Sequence, residues 1–204
     1  GGTHRCRRLR RNMSRDGDLL VTTANAFATD QETRNVAIET REIYVTALKN
    51  THALEMQALQ IMERQVERLQ RYPEMEAALR RHIQETHGQR DRLEEALSSL
   101  GDGPSAIKEG FLGFVGNMMA LGHTPAQDEI LKSAFANHAF ENFEIAAYES
   151  LLAIAEAAGE QTALTGFQQS LREEEAMARK VRDLVRPTTL RYIELTLAGD
   201  KADR

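Results

Sequence analysis

A chain of 204 residues, 41% hydrophobic and 28% charged, can bury one substantial core, and its richness in Ala, Leu, Glu, Gln and Arg points to helices. The net charge is −5, yet residues 1–12 hold Arg5, Arg7, Arg8, Arg10 and Arg11 and no acid; without those five positive charges the remainder stands at −10. That acidity argues against nucleic-acid binding, no apolar run is long enough to span a membrane, and the single Cys6 excludes an intrachain disulfide.

Residues 1–12 read as an extension ahead of an expected start at Met13. Residues 13–37 are polar and without a sustained period, so 1–37 are expected to form a poorly ordered basic and polar lead-in. The stretch DLLVTTANAFA is too short and too polar for a secretory signal, and a cytoplasmic location is expected.

A helical bundle is expected over 38–199, followed by a solvated tail at 200–204. The first helix begins near Glu39, with Val45, Leu48, His52, Glu55, Leu59, Met62, Val66 and Leu69 in alternating steps of three and four. Pro73 ends it and opens a second, antiparallel helix to about Leu100. The second seam is Met75, Ala78, His82, Glu85, Gln89, Leu93, Ala96 and Leu100. GDGPS at 101–105 breaks the chain. A short crossover helix is expected over 106–121, where Gly110, Gly113 and Gly116 make a smooth ridge. The third long helix, Ala126 to Ala158, carries Leu131, Ala134, His138, Glu141, Ile145, Tyr148, Leu152 and Ala155, and stops at Gly159. The fourth, Thr162 to Val185, carries Leu164, Phe167, Leu171, Glu174, Ala178, Val181 and Val185. Pro187 is expected to stop it, leaving a short C-terminal helix in 188–199 with Leu190, Ile193 and Leu197 on one side.

Each long helix therefore sets a glutamate on its apolar seam: Glu55, Glu85, Glu141 and Glu174. Three have a histidine one turn earlier, His52, His82 and His138, and a gap of three puts both side chains on one face. Glu55 and Glu85 are thirty positions apart around Pro73; Glu144 and Glu174 are thirty apart around Gly159, and so face one another at one height. Carboxylates buried at one level repel, and either take up protons or gather cations. Glutamates and histidines on four helices are the donor set of dinuclear centres in ferritin-like bundles, although the usual order there is Glu-x-x-His and here it is His-x-x-Glu. The competing reading is a hydrogen-bonded polar core in a non-catalytic helical protein.

From about Ile43 to Val185 the chain closely resembles the YciE/YciF ferritin-like family of bacterial stress-associated proteins. IYVTALKNTHALEMQAL, LRRHIQETHGQRDRLE, AFENFEIAAYESL and LREEEAMA occur in the family's order and spacing. The resemblance implies an all-α, ferritin-like antiparallel four-helix bundle, a homodimer and a dinuclear site. The family's acidic positions map onto Glu55, Glu85, Glu141, Glu144 and Glu174, with His82 beside them. The chain departs from the pattern at Asn142, where histidine is common, and at Ala178, where an acid is common. Iron or manganese is the metal expected of so many carboxylates, with iron oxidation by oxygen or peroxide as the chemistry. Neither a nucleic-acid nor a membrane partner is expected.

Overall fold

The computed structural model describes residues 15–101 and 128–202, with side chains from residue 31 onward. Its elements are α1 (Arg15–Val66), α2 (Pro73–Ser99), α3 (Glu129–Ala157) and α4 (Leu164–Leu197), with no strand among the described residues. Contacts divide the chain into two compact units, residues 1–39 and 40–204. The first unit corrects one expectation: helix is already established at Arg15, well before Glu39. Side chains 31–39 are all exposed, so this part of α1 has no buried face to imprint a period on its sequence.

The second unit is a four-helix bundle built from two antiparallel hairpins. Pro73 occupies the first turn of α2, where its missing N–H removes no helical hydrogen bond. Arg41 of α1 donates to the Leu100 carbonyl at 2.6 Å, and His52 meets Glu94 at 3.0 Å, so the two helices run back along each other. Gly159 turns α3 into α4 at φ +76°, and the Glu160 N–H closes the helix end on the Ala155 carbonyl at 2.9 Å. Asn137 of α3 donates to Gln65 of α1 at 2.9 Å, and Arg92 of α2 pairs with Glu173 of α4. Each helix thus lies antiparallel to two neighbours, in the cyclic order α1, α2, α4, α3. Helices α2 and α3 are parallel across the diagonal, which requires a long connection. That connection is residues 102–127, so the expected crossover helix and its glycine ridge fall outside the described residues.

Buried positions show the register. In α3 they are Ile130, Ala134, Asn137, Glu141, Glu144, Tyr148, Leu151 and Ala155, an unbroken alternation of four and three. The expected seam shares Ala134, Glu141, Tyr148 and Ala155 but had chosen His138, Ile145 and Leu152 in between. Those three are only partly buried. Asn137 takes its inward place with Gln65 of α1 as partner, and Glu144 takes its own beside His82, Glu141 and Glu174. Similarly, Thr86 rather than Glu85 is the buried member of α2.

Helix α4 also differs from expectation, continuing through Pro187 to Leu197 instead of stopping and restarting. An interior proline costs about 3 kcal/mol. Packing on the far side offsets it, because Thr188 and Leu195 are buried and the Tyr72 hydroxyl donates to the Ala202 carbonyl. No helix among the described residues is long and apolar enough to cross a membrane.

Two apolar clusters fill the bundle. One gathers Leu59, Met62, Leu79, Met177 and Val181 towards the Pro73 end. The other gathers Tyr44, Leu48, Leu93, Leu97, Leu151 and Phe167 towards the Gly159 end. Between them every helix contributes buried polar side chains, and these make a layer across the middle of the core.

Candidate metal centre

The polar layer follows from the seams. Alternating steps of three and four bring His82 of α2, Glu141 and Glu144 of α3 and Glu174 of α4 to one height. One ligand atom from each of these four lies within 4.8 Å of all the others. They are almost wholly inaccessible to solvent, at 1%, 3%, 1% and 0% relative exposure respectively. Glu55 of α1 is equally buried and electrostatically coupled to the group, but its Oε1 accepts the Tyr148 hydroxyl at 2.5 Å.

His82 stands at the hinge of the arrangement. Its Nε2 is 3.2 Å from Glu141 Oε2 and 3.4 Å from Glu174 Oε2, distances that pair charge without the alignment of a hydrogen bond. Its Nδ1 meets Glu85 Oε2 at 3.0 Å. Glu85 is about one-third exposed and lies on the outer side of the imidazole, away from the four-residue group. The Gln89 amide donates to Glu174 Oε1. The structure thus brings together four of the six candidates, sets Glu55 beside them and places Glu85 behind His82. His52 is taken by Glu94, and His138 lies outside the group.

Burial dominates the electrostatics. It raises Glu144 and Glu55 well above the ordinary carboxylate range, and neighbouring carboxylates, Glu174 foremost, push in the same direction. Burial also raises Glu141, to about 7, against the opposing pull of His82. For His82 burial works against the charged form, but Glu141, Glu174 and Glu85 outweigh it and hold the imidazole well above its usual pKa. The layer is therefore a site starved of positive charge.

Its unpartnered atoms say the same. Glu55 Oε2 and Glu144 Oε1 are buried without a hydrogen-bond partner, and Glu141 Oε2 and Glu174 Oε2 have only their unaligned contacts with His82 Nε2. An unsatisfied buried polar group costs about 1–3 kcal/mol, and more when charged. Three carboxylates and one imidazole nitrogen suit a divalent metal of intermediate hardness. A small pocket of about 50 Å³ between α1 and α3, walled by Ala58, Ile61, Met62, Ala136, Asn137 and Phe140, reaches Glu141.

Sequence reasoning left two participants without a role. Tyr148 follows Glu144 by four on the α3 seam, and Gln89 follows His82 by seven on that of α2. Their signal was the presence of hydrogen-bonding groups on an apolar seam, one turn or two from the acids.

A family model described as "Domain of unknown function (DUF892)" matches residues 39–194. Among solved structures, a protein from Xanthomonas campestris is similar at 24% identity and TM-score 0.65, over 78% of this chain and 99% of that one. The E. coli stress protein YciF is similar at 22% identity and TM-score 0.56, over 72% of this chain and 94% of that one. At these identities the likeness establishes a shared fold.

Proposed function

The chain belongs to the DUF892 family, and from that premise we propose that it is a ferritin-like protein holding iron or manganese in the polar layer of its bundle. His82, Glu141, Glu144 and Glu174 are the donors of this centre, and Glu55 is the further carboxylate of a dinuclear arrangement. The observation that carries the reading is the convergence of one imidazole nitrogen and three buried carboxylates within 4.8 Å of one another. So many buried carboxylates at one place call for positive charge. Bound iron would supply the capacity to reduce oxygen or peroxide as it is oxidised. The chain's own part is to fix the donors, exclude bulk water and orient His82 through Glu85.

The test is metal analysis of protein purified without chelator and reloaded with Fe²⁺ or Mn²⁺. At least one ion per chain is expected, with loss of binding in Glu144→Ala and Glu174→Ala. Sub-stoichiometric metal, unchanged by either substitution, would sink the proposal in favour of a purely structural core. A homodimer is part of the same proposal, supported by Leu190, Ile193 and Leu197 lying exposed in steps of three and four along α4. Sedimentation at micromolar concentration should give twice the 22.9 kDa chain mass; a monomer would remove that part.

A further inference from the structure

The four carboxylates of the layer are not equivalent, and the difference lies in what holds Glu55. His82, Glu141, Glu144 and Glu174 already converge, while Glu55 does not belong to the converged set. One of its oxygens is engaged by Tyr148 at 2.5 Å and the other has no partner. Tyr148 is itself fully buried. Ser170, beside the phenol, donates its hydroxyl to the Gly166 carbonyl at 3.3 Å and accepts Arg92 Nη1 at 2.8 Å. Arg92 is in turn clamped by Glu173 through two bonds of 2.8 and 3.0 Å. Glu55, Tyr148, Ser170, Arg92 and Glu173 come from all four helices. The bidentate Arg92–Glu173 pair makes the surroundings of the phenol stiff.

Among the described residues, nothing comparable completes a second position. Glu85 is occupied at His82 Nδ1, and the exposed Asn142 turns back to the His138 carbonyl at 2.6 Å. A first cation finds one nitrogen and three carboxylates waiting; a second depends on Glu55 and on carboxylates shared with the first.

Resting on the metal centre proposed above, we propose that it loads in two unequal steps, and that Tyr148 is the positioning residue that sets the inequality by holding Glu55 back from the first ion. The second step then requires the Tyr148–Glu55 hydrogen bond to be weakened or broken, while the first does not.

Titration of the metal-free full chain with Mn²⁺ by calorimetry, with Co²⁺ absorption as a report on coordination, tests this. The native chain should show two steps, the first at least about tenfold tighter. Glu55→Gln should abolish the second step and leave the first within about threefold. Tyr148→Phe, nearly isosteric, should tighten the second step by about tenfold, the scale of one hydrogen bond to a charged group, with the first unmoved. If Tyr148→Phe does not fold by circular dichroism, Tyr148→Leu removes the same hydroxyl and should shift the second step in the same direction. Equal steps, a single step in the native chain, or a first step weakened by Glu55→Gln as much as by Glu144→Gln overturns the inference alone. Absence of any Mn²⁺ or Co²⁺ binding overturns the centre itself, and the inference with it.

Discussion

Glu85 and Thr86 show how much one position decides. Both fall within a step of three or four from His82, and only packing distinguishes them. Thr86 is small and returns its hydroxyl to the His82 carbonyl at 2.9 Å, so it fits inside the interface. Glu85 stays at the edge and reaches the imidazole's outer nitrogen. A carboxylate in that place fixes a metal-binding histidine's tautomer and ring orientation, and such support is worth about 10–100-fold in affinity. Glu85→Gln should therefore weaken Mn²⁺ binding by about that factor with the stoichiometry intact, whereas His82→Ala should remove a donor outright. Competition with a metallochromic chelator measures both. A loss of stoichiometry in Glu85→Gln would make Glu85 a direct ligand.

Among the elements, alternating apolar steps were enough to place all four long helices and their antiparallel hairpins. They fixed each buried face only to within one residue. In α3, apolarity favours Ile145 and Leu152, but the inward places fall to Glu144 and Leu151, one residue earlier in each case. No single-helix pattern contains that information. The early start of α1 was not legible, its described side chains 31–39 being exposed and so leaving no periodic trace, and Pro187 suggested a stop that tertiary packing overrode. Punctuation by glycine was reliable. Gly159, at φ +76°, occupies the left-handed position that ends α3. Gly159→Ala should cost about 1 kcal/mol, read as a lower denaturant midpoint at unchanged slope. Phe167→Ala, emptying a fully buried position in the second apolar cluster, should cost about 3–5 kcal/mol.

For the molecule as a whole, the charged layer reverses the usual response to acid. The folded-state pKa of Glu141 is raised from 4.5 to about 7, and those of Glu55 and Glu144 are raised as well. Between those values the folded chain binds more protons than the unfolded one, so the stability of the metal-free protein rises as pH falls through that window. His82, also raised, acts with the same sign at higher pH. The lowered Glu173 opposes this only below its ordinary pKa of 4.5. Metal-free protein should melt higher at pH 5.5 than at pH 8, and saturating Mn²⁺ should reduce the difference by supplying the positive charge that protons otherwise bring. A melting temperature that drops steadily on acidification across that range would contradict the account.

The enclosure of the polar layer between two apolar clusters also has a meaning in time. A cation seated on donors of 0–3% exposure lies away from bulk water, and the mostly apolar lining of the pocket beside Glu141 is a poor route for an ion that must carry its water. Release then waits on the helices parting, an event whose frequency belongs to the protein and not to the competitor outside. Stripping by excess chelator should accordingly proceed at a rate that stops depending on chelator concentration, and that plateau should match the opening rate seen in amide hydrogen exchange of α2 and α4. The bundle would act less as a binding surface than as a clock.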